Sequence, residues 1–121
     1  MSRARPRWRN VRALIMDVDG VLTDGGLYYT EQGDELRRVD VRDGQGLVLL
    51  RQAGILTAIV TGKRTALVAR RAEELGIAEV HQGVTDKGAT VTELLARHGV
   101  APAAACYVGD DINDLPALRV V

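Results

Sequence analysis

Phenylalanine is absent from the 121 residues, and the aromatic complement is one tryptophan and three tyrosines. A platform that stacks the bases of single-stranded nucleic acid needs more rings than this. Cys106 is the only cysteine, which excludes a disulfide within the sequence, and its apolar neighbours mark it as core packing. His81 and His98 lie far apart without cysteine companions, so no zinc-binding pattern is present. Charge of one sign is also lacking in net terms: 16 Lys and Arg face 16 Asp and Glu, which excludes a general basic field for nucleic acid. Arg3, Arg5, Arg7, Arg9 and Arg12 crowd the start and predict a flexible, solvated basic N-terminus over residues 1–10. No apolar run approaches the roughly 18–20 residues that span a bilayer, and no apolar signal-peptide core follows the arginines. A cytoplasmic protein is expected.

What remains is a chain of one-domain length, 46% hydrophobic and 26% charged, with a strand and helix rhythm. The run VRALIMDV over 11–18 is apolar and β-branched and ends in acid and glycine, as a buried parallel strand does when it meets its loop. Beyond Gly25, two short strand-like runs flank Gln32, Gly33 and Asp34 and predict a β-hairpin over about 26–40, projecting from the main sheet. A helix is expected at 45–53, a strand at 55–62, and a helix at 65–75 stopped by Gly76. A short strand at 78–83 follows, then a helix capped by Thr85 or Asp86 and stopped by Gly99, and a last strand running into Asp110 and Asp111. This alternation predicts an α/β fold over 11–121: a Rossmann-like parallel sheet, helices on both faces, right-handed crossovers, and ligands beyond the carboxyl ends of the strands.

Polar residues fall just past each predicted strand: Asp17 and Asp19, then Thr61, then Lys87, then Asp110, Asp111 and Asp114. Asp17 and Asp19 are two apart and project alike in an extended segment, and Gly20 allows a sharp turn after them. Carboxylates gathered at one sheet edge repel unless a cation neutralises them. Oxygen ligands alone suit Mg²⁺, which a few carboxylates, waters and a phosphate can hold. Lys87 and Thr61 then complement a phosphoryl group. An Asp can attack phosphorus to give an aspartyl-phosphate, with a second acid serving the leaving alcohol and the hydrolytic water. Asp111 can instead cap the last helix, and Asp114 can orient its neighbours. Arg42 is a candidate contact for a substrate carboxylate or, equally, a member of a surface ion pair.

Asp17 to Thr23 (DVDGVLT) resembles the first motif of the haloacid dehalogenase (HAD) superfamily. Val60-Thr61-Gly62 resembles the second, Lys87 the third, and Gly109-Asp110-Asp111 through Asp114 the fourth, in the family order. The segments DVDGVLTDG, VRDGQG, VTGKRT, HQGVTDK and YVGDDINDLP are similar to the capless branch that includes 3-deoxy-D-manno-octulosonate 8-phosphate (KDO 8-P) phosphatases. The resemblance implies a Mg²⁺-dependent phosphomonoesterase of lipopolysaccharide biosynthesis acting on a sugar-acid phosphate, HAD-like in fold, with the hairpin as a flap and no separate cap domain. It implies that Asp17 is nucleophile and metal ligand, that Asp19 is acid-base and ligand through its backbone carbonyl, and that Asp110 is a ligand. Thr61, Gly62 and Lys87 would bind phosphate. It further implies a homotetramer in which the hairpin helps assembly and a neighbour covers the site. Such phosphatases continue past the fourth motif through a strand, a helix and a glycine-rich tail, so the C-terminal part reads as truncated. The alternative reading is a truncated or non-catalytic HAD-like assembly module of a sugar-nucleotide pathway. A signalling receiver also uses Asp, Thr and Lys on a parallel sheet, but in a different order along the chain.

Overall fold

The computed structural model describes residues 7–121. Most of the expected basic terminus, residues 1–6, lies outside them; Trp8–Asn10 form an exposed 3-10 turn.

Four strands, β1 (Ala13–Met16), β4 (Leu56–Val60), β5 (Glu79–His81) and β6 (Ala105–Val108), build one sheet in the order β5-β4-β1-β6. Every pairing in it is parallel. The side-chain period of two, with both faces covered, explains why the central strands β1 and β4 are almost wholly apolar, whereas β5 at the sheet's edge is Glu-Val-His and only partly buried. Ala13 and Ile15 of β1 join Ala58 and Val60 of β4 in one core cluster, with Val91, Leu94, Leu95 and Ala117. Met16 and Ile59 face the opposite way, into a cluster with Leu47, Val68, Ala72 and Leu75. Helices α3 (Lys87–Arg97) and α4 (Leu115–Leu118) therefore cover one face, and α1 (Val41–Gln52) and α2 (Ala66–Leu75) the other. Among the described residues, no helix is long and apolar enough to cross a membrane.

Side-chain caps set the helix starts. Thr65 accepts from the Val68 amide to open α2, and Asp86 from the Ala89 amide to open α3. Gly76, at φ 65°, closes α2 as expected. Helix α1 begins at Val41, earlier than the expected residue 45, because Asp40 accepts the Arg42 amide and caps it. Gly44 weakens the helical pattern in sequence; in the fold it lies where a Cβ would crowd Arg71 and Leu75 of α2.

The hairpin forms outside the main sheet, as expected. Strands β2 (Tyr28–Tyr29) and β3 (Glu35–Leu36) pair antiparallel, and an isolated bridge joins Thr23 to Val39 at the hairpin's base. The chain leaves β1 toward β4 and β5 on one side and returns to β6 on the other. The connection direction thus reverses at β1, where open α/β sheets form their ligand crevice.

Candidate active site

Register places the residues that follow the strands at one height. Met16 aligns with Ile59 on one side and Val108 on the other. The next residue, Asp17, donates its amide to the Val108 carbonyl at 3.0 Å, and Thr61 donates its amide to His81 at 2.9 Å. Asp17, Thr61 and Gly109 thus stand just beyond the sheet's carboxyl edge. A cavity of about 240 Å³ opens there, lined by Asp17, Asp19, Thr61, Gly62, Lys63, Asp110 and neighbouring loop residues. It contains most of the residues expected from the sequence.

The carboxylate oxygens of Asp17, Asp110 and Asp114 come within 4.8 Å of one another. Asp114 is fully buried and its oxygens are already engaged. Lys87 Nζ donates to it at 2.7 Å, the Tyr107 hydroxyl also donates to it, and it accepts the amides of Asp110 and Asp111 at 3.0 and 3.1 Å. Of these three, Asp17 and Asp110 line the cavity. This all-oxygen pair fits a hard divalent cation. Gly20 makes the approach feasible, since at φ 82° it turns the loop back so tightly that a Cβ there would overlap the Asp110 carboxylate.

Lys87 opens α3 yet is 1% exposed. Its ammonium lies 3.3 Å from Asp17 and 2.7 Å from Asp114, so two carboxylates compensate its burial. Burial pushes the Asp17 carboxyl above its ordinary range, and Lys87 only partly offsets this. Burial would likewise raise Asp114, but hydrogen bonds from Lys87, Tyr107 and the Asp111 amide hold it below the ordinary carboxylate range. The Tyr107 phenol is pushed up by burial and by its bond to Asp114. The two acids thus differ in kind: Asp17 is charged at a cost, and Asp114 is a settled counterion.

Asp111 and Asp114 form a reciprocal capping box over the 3-10 turn Ile112–Asp114; the cap expected of Asp111 thus falls on this turn and not on α4, whose N-cap is Asp114 without a side-chain bond. Arg42 lies away from the cavity: its guanidinium is 90% exposed and pairs with Asp40 at 2.9 Å. Of its two expected roles, this chain displays the ion pair. Two cations that sequence reading passed over stand beside Asp19, Arg37 from the hairpin at 3.0 Å and Lys63 at 3.6 Å. Lys63 follows Thr61 by two positions, a signal that was available. Arg37 carried none, because only the fold-back of the hairpin brings it there.

Fold and constellation together define an open parallel α/β sheet with a carboxylate-centred site at its switch point. The sequence model of the haloacid dehalogenase-like hydrolases matches residues 40–121, and the chain belongs to that family. The 3-deoxy-D-manno-octulosonate 8-phosphate phosphatase KdsC of Yersinia pestis is 44% identical over 115 residues, covering 95% of this chain and 62% of the relative. The Salmonella typhi protein of the same name is 42% identical over 112 residues, covering 93% and 60%. The chain thus spans about six tenths of the length of these curated relatives. Among solved structures, the Moraxella catarrhalis 3-deoxy-D-manno-octulosonate 8-phosphate phosphatase, in complex with magnesium, phosphate and KDO, is 42% identical with a TM-score of 0.87. That match covers 92% of this chain and 64% of the other. The cobalt-bound phosphatase of Haemophilus influenzae is 38% identical with a TM-score of 0.86, covering 92% and 65%.

Proposed function

We propose that this chain is the catalytic part, residues 11–121, of a cytoplasmic Mg²⁺-dependent phosphomonoesterase whose substrate is a sugar-acid phosphate of the 3-deoxy-D-manno-octulosonate 8-phosphate class. The observation that carries this reading is the convergence of Asp17 and Asp110 on one cavity, with Lys87 buried against Asp17. The named relatives support the substrate class.

Asp17, Asp110 and the backbone carbonyl of Asp19 would hold the cation. Bound there, it neutralises the carboxylates and the phosphate oxygens. An Asp17 oxygen attacks phosphorus while the ester P–O bond breaks, and Asp19 delivers its proton to the departing alkoxide. Asp19, now ionised, takes a proton from water as the water oxygen attacks phosphorus and the bond to Asp17 breaks. Ester and water become alcohol and phosphate, and both acids return to their starting states. Thr61, Gly62 and Lys87 hold the phosphoryl oxygens throughout, and such positioning supplies most of the catalysis in phosphoryl transfer. Asp114 and Asp111 act by fixing Lys87 and the Asp110 loop. A homotetramer whose hairpins help close neighbouring sites is part of the same proposal. A non-catalytic assembly role gains nothing from a buried lysine held between Asp114 and the cavity-lining Asp17.

The test is a panel of phosphorylated metabolites assayed with and without Mg²⁺. Turnover should require the metal, and kcat/KM should be highest for sugar-acid phosphates. Metal-independent turnover, or preference for an unrelated ester, contradicts the reading.

A further inference from the structure

Asp19, unlike Asp17, has no buried lysine beneath it; what holds it comes from the hairpin. Arg37 follows β3, and its side chain is 4% exposed although the hairpin strands themselves face solvent. Its Nε lies 3.0 Å from Asp19 Oδ1. Its Nη1 donates to Thr65 Oγ1 at 3.2 Å, the same hydroxyl that accepts the Val68 amide and caps α2. One guanidinium thus ties together three elements: the hairpin, the loop after β1 and the start of α2. Lys63 also approaches Asp19, at 3.6 Å, but its side chain is 54% exposed and free to leave. Among the described residues, the Arg37 Nε and Nη2 hydrogens have no aligned acceptor. Asp19 is therefore the nearest anion to a buried cation whose remaining partner, Glu35, is 3.8 Å away. A planar fork tied to Thr65 by a hydrogen bond and to Asp19 by an ion pair constrains the acid in a way that a mobile ammonium does not.

From this geometry we infer that Arg37 is a positioning residue for the acid-base step: it sets the orientation of the Asp19 carboxyl group toward the leaving oxygen and so makes the folded hairpin a requirement for proton transfer. The inference rests on the phosphatase reading above. It adds a residue to the site that neither the motifs nor the cavity lining identifies, and it gives the flap a chemical task within its own chain.

The leaving group provides the test. A primary alkoxide needs a proton as it departs, whereas nitrophenolate leaves without one. The ratio kcat/KM reports the steps through departure of the alcohol, so the later hydrolysis of the aspartyl-phosphate does not mask the comparison. With 3-deoxy-D-manno-octulosonate 8-phosphate, Arg37→Ala should lose about 10- to 100-fold in kcat/KM, less than the roughly 10²- to 10⁴-fold that a positioned acid contributes in full, because Asp19 itself is still present. With 4-nitrophenyl phosphate it should stay within about 3-fold of the wild type, since that ester bypasses the assisted step. Arg37→Lys should recover little of the loss, since an ammonium lacks the fork that holds the carboxyl group, and adding Arg37→Ala to Asp19→Asn should cost little further, because residues acting as one unit are not additive. Equal losses on both esters, or full additivity with Asp19→Asn, would reduce Arg37 to a structural residue and overturn the inference. A wild-type chain that turns over neither ester with Mg²⁺ would overturn the phosphatase reading itself, and this role with it.

Discussion

Asp17 is 7% exposed, and burial, the largest influence on it, pushes its carboxyl above the ordinary value of 3.8 despite the ammonium of Lys87. A pKa raised on folding means that this group's contribution to stability is fully present below pH 3.8 and is lost as pH rises through the folded value. At neutral pH the metal-free protein thus carries a charge that its fold disfavours, as functional sites often do. Asp17→Asn should abolish turnover and raise the melting temperature of the metal-free protein at pH 7; a lower melting temperature would show that the charge is stabilising. Lys87 presents the opposite case. Its removal in Lys87→Met leaves Asp17 and Asp114 buried without their cation, and breaking a buried pair from one side costs about 3–5 kcal/mol. Urea unfolding would measure this, and a cost below about 1 kcal/mol, typical of exposed pairs, would contradict the burial argument. At this scale the sequence was informative where chemistry is written locally. Asp17, Asp19 and Gly20 were legible because strand period and turn chemistry act over a few residues. Arg37 was not, since it reaches Asp19 only through the hairpin's fold-back. Arg42 has its partner two residues away in Asp40, which is why both of its readings looked alike in sequence.

Elements depend on their ends, and β5 with the end of α3 shows this best. Glu79 accepts from Arg97 at 2.7 Å and pairs with the Nε2 atoms of His98 and His81 at 2.8 and 2.6 Å. Burial would raise its carboxyl, but the bonds to His98, Arg97 and His81 hold it at about 2. A depressed pKa stabilises the fold above the unfolded value of 4.5, and this stability is lost as pH falls through the folded one. Glu79→Gln should therefore melt earlier than the wild type at pH 6. The gap between them should narrow as pH drops from about 4.5 toward about 2. A gap independent of pH in that window would mean that Glu79 contributes through shape rather than charge. The same residue explains why this strand was hard to delimit from sequence: β5 is only three residues, none fully buried, and its partners lie at the far end of α3. Helix α1 was misjudged at its start for a related reason, since Gly44 suppresses the helical pattern while close packing on α2 requires it. The long-period elements, α2 and α3, were legible because cap and apolar stripe agree.

The whole molecule reduces to one topological fact: the chain reverses direction at β1, so Asp17 and Asp110, distant in sequence, meet at one edge. The four-strand alternation and the α/β class were readable from sequence. The strand order was not, because nothing local states on which side of β1 the strand β6 returns. Closure of the crevice is an assembly property in the proposed function, so activity with selectivity should co-elute with an oligomer in size-exclusion chromatography; a fully active, selective monomer would contradict it. The central claim is that Asp17 receives the phosphoryl group beside a cation held with Asp110. Acid quenching during turnover, followed by borohydride reduction and peptide mass mapping, reads that step directly, since a phosphorylated aspartate is reduced to homoserine. The account predicts homoserine at position 17 in the wild type with Mg²⁺ and its loss in Asp110→Asn or without the metal; turnover with no modification at position 17, or with modification at another aspartate, would contradict it.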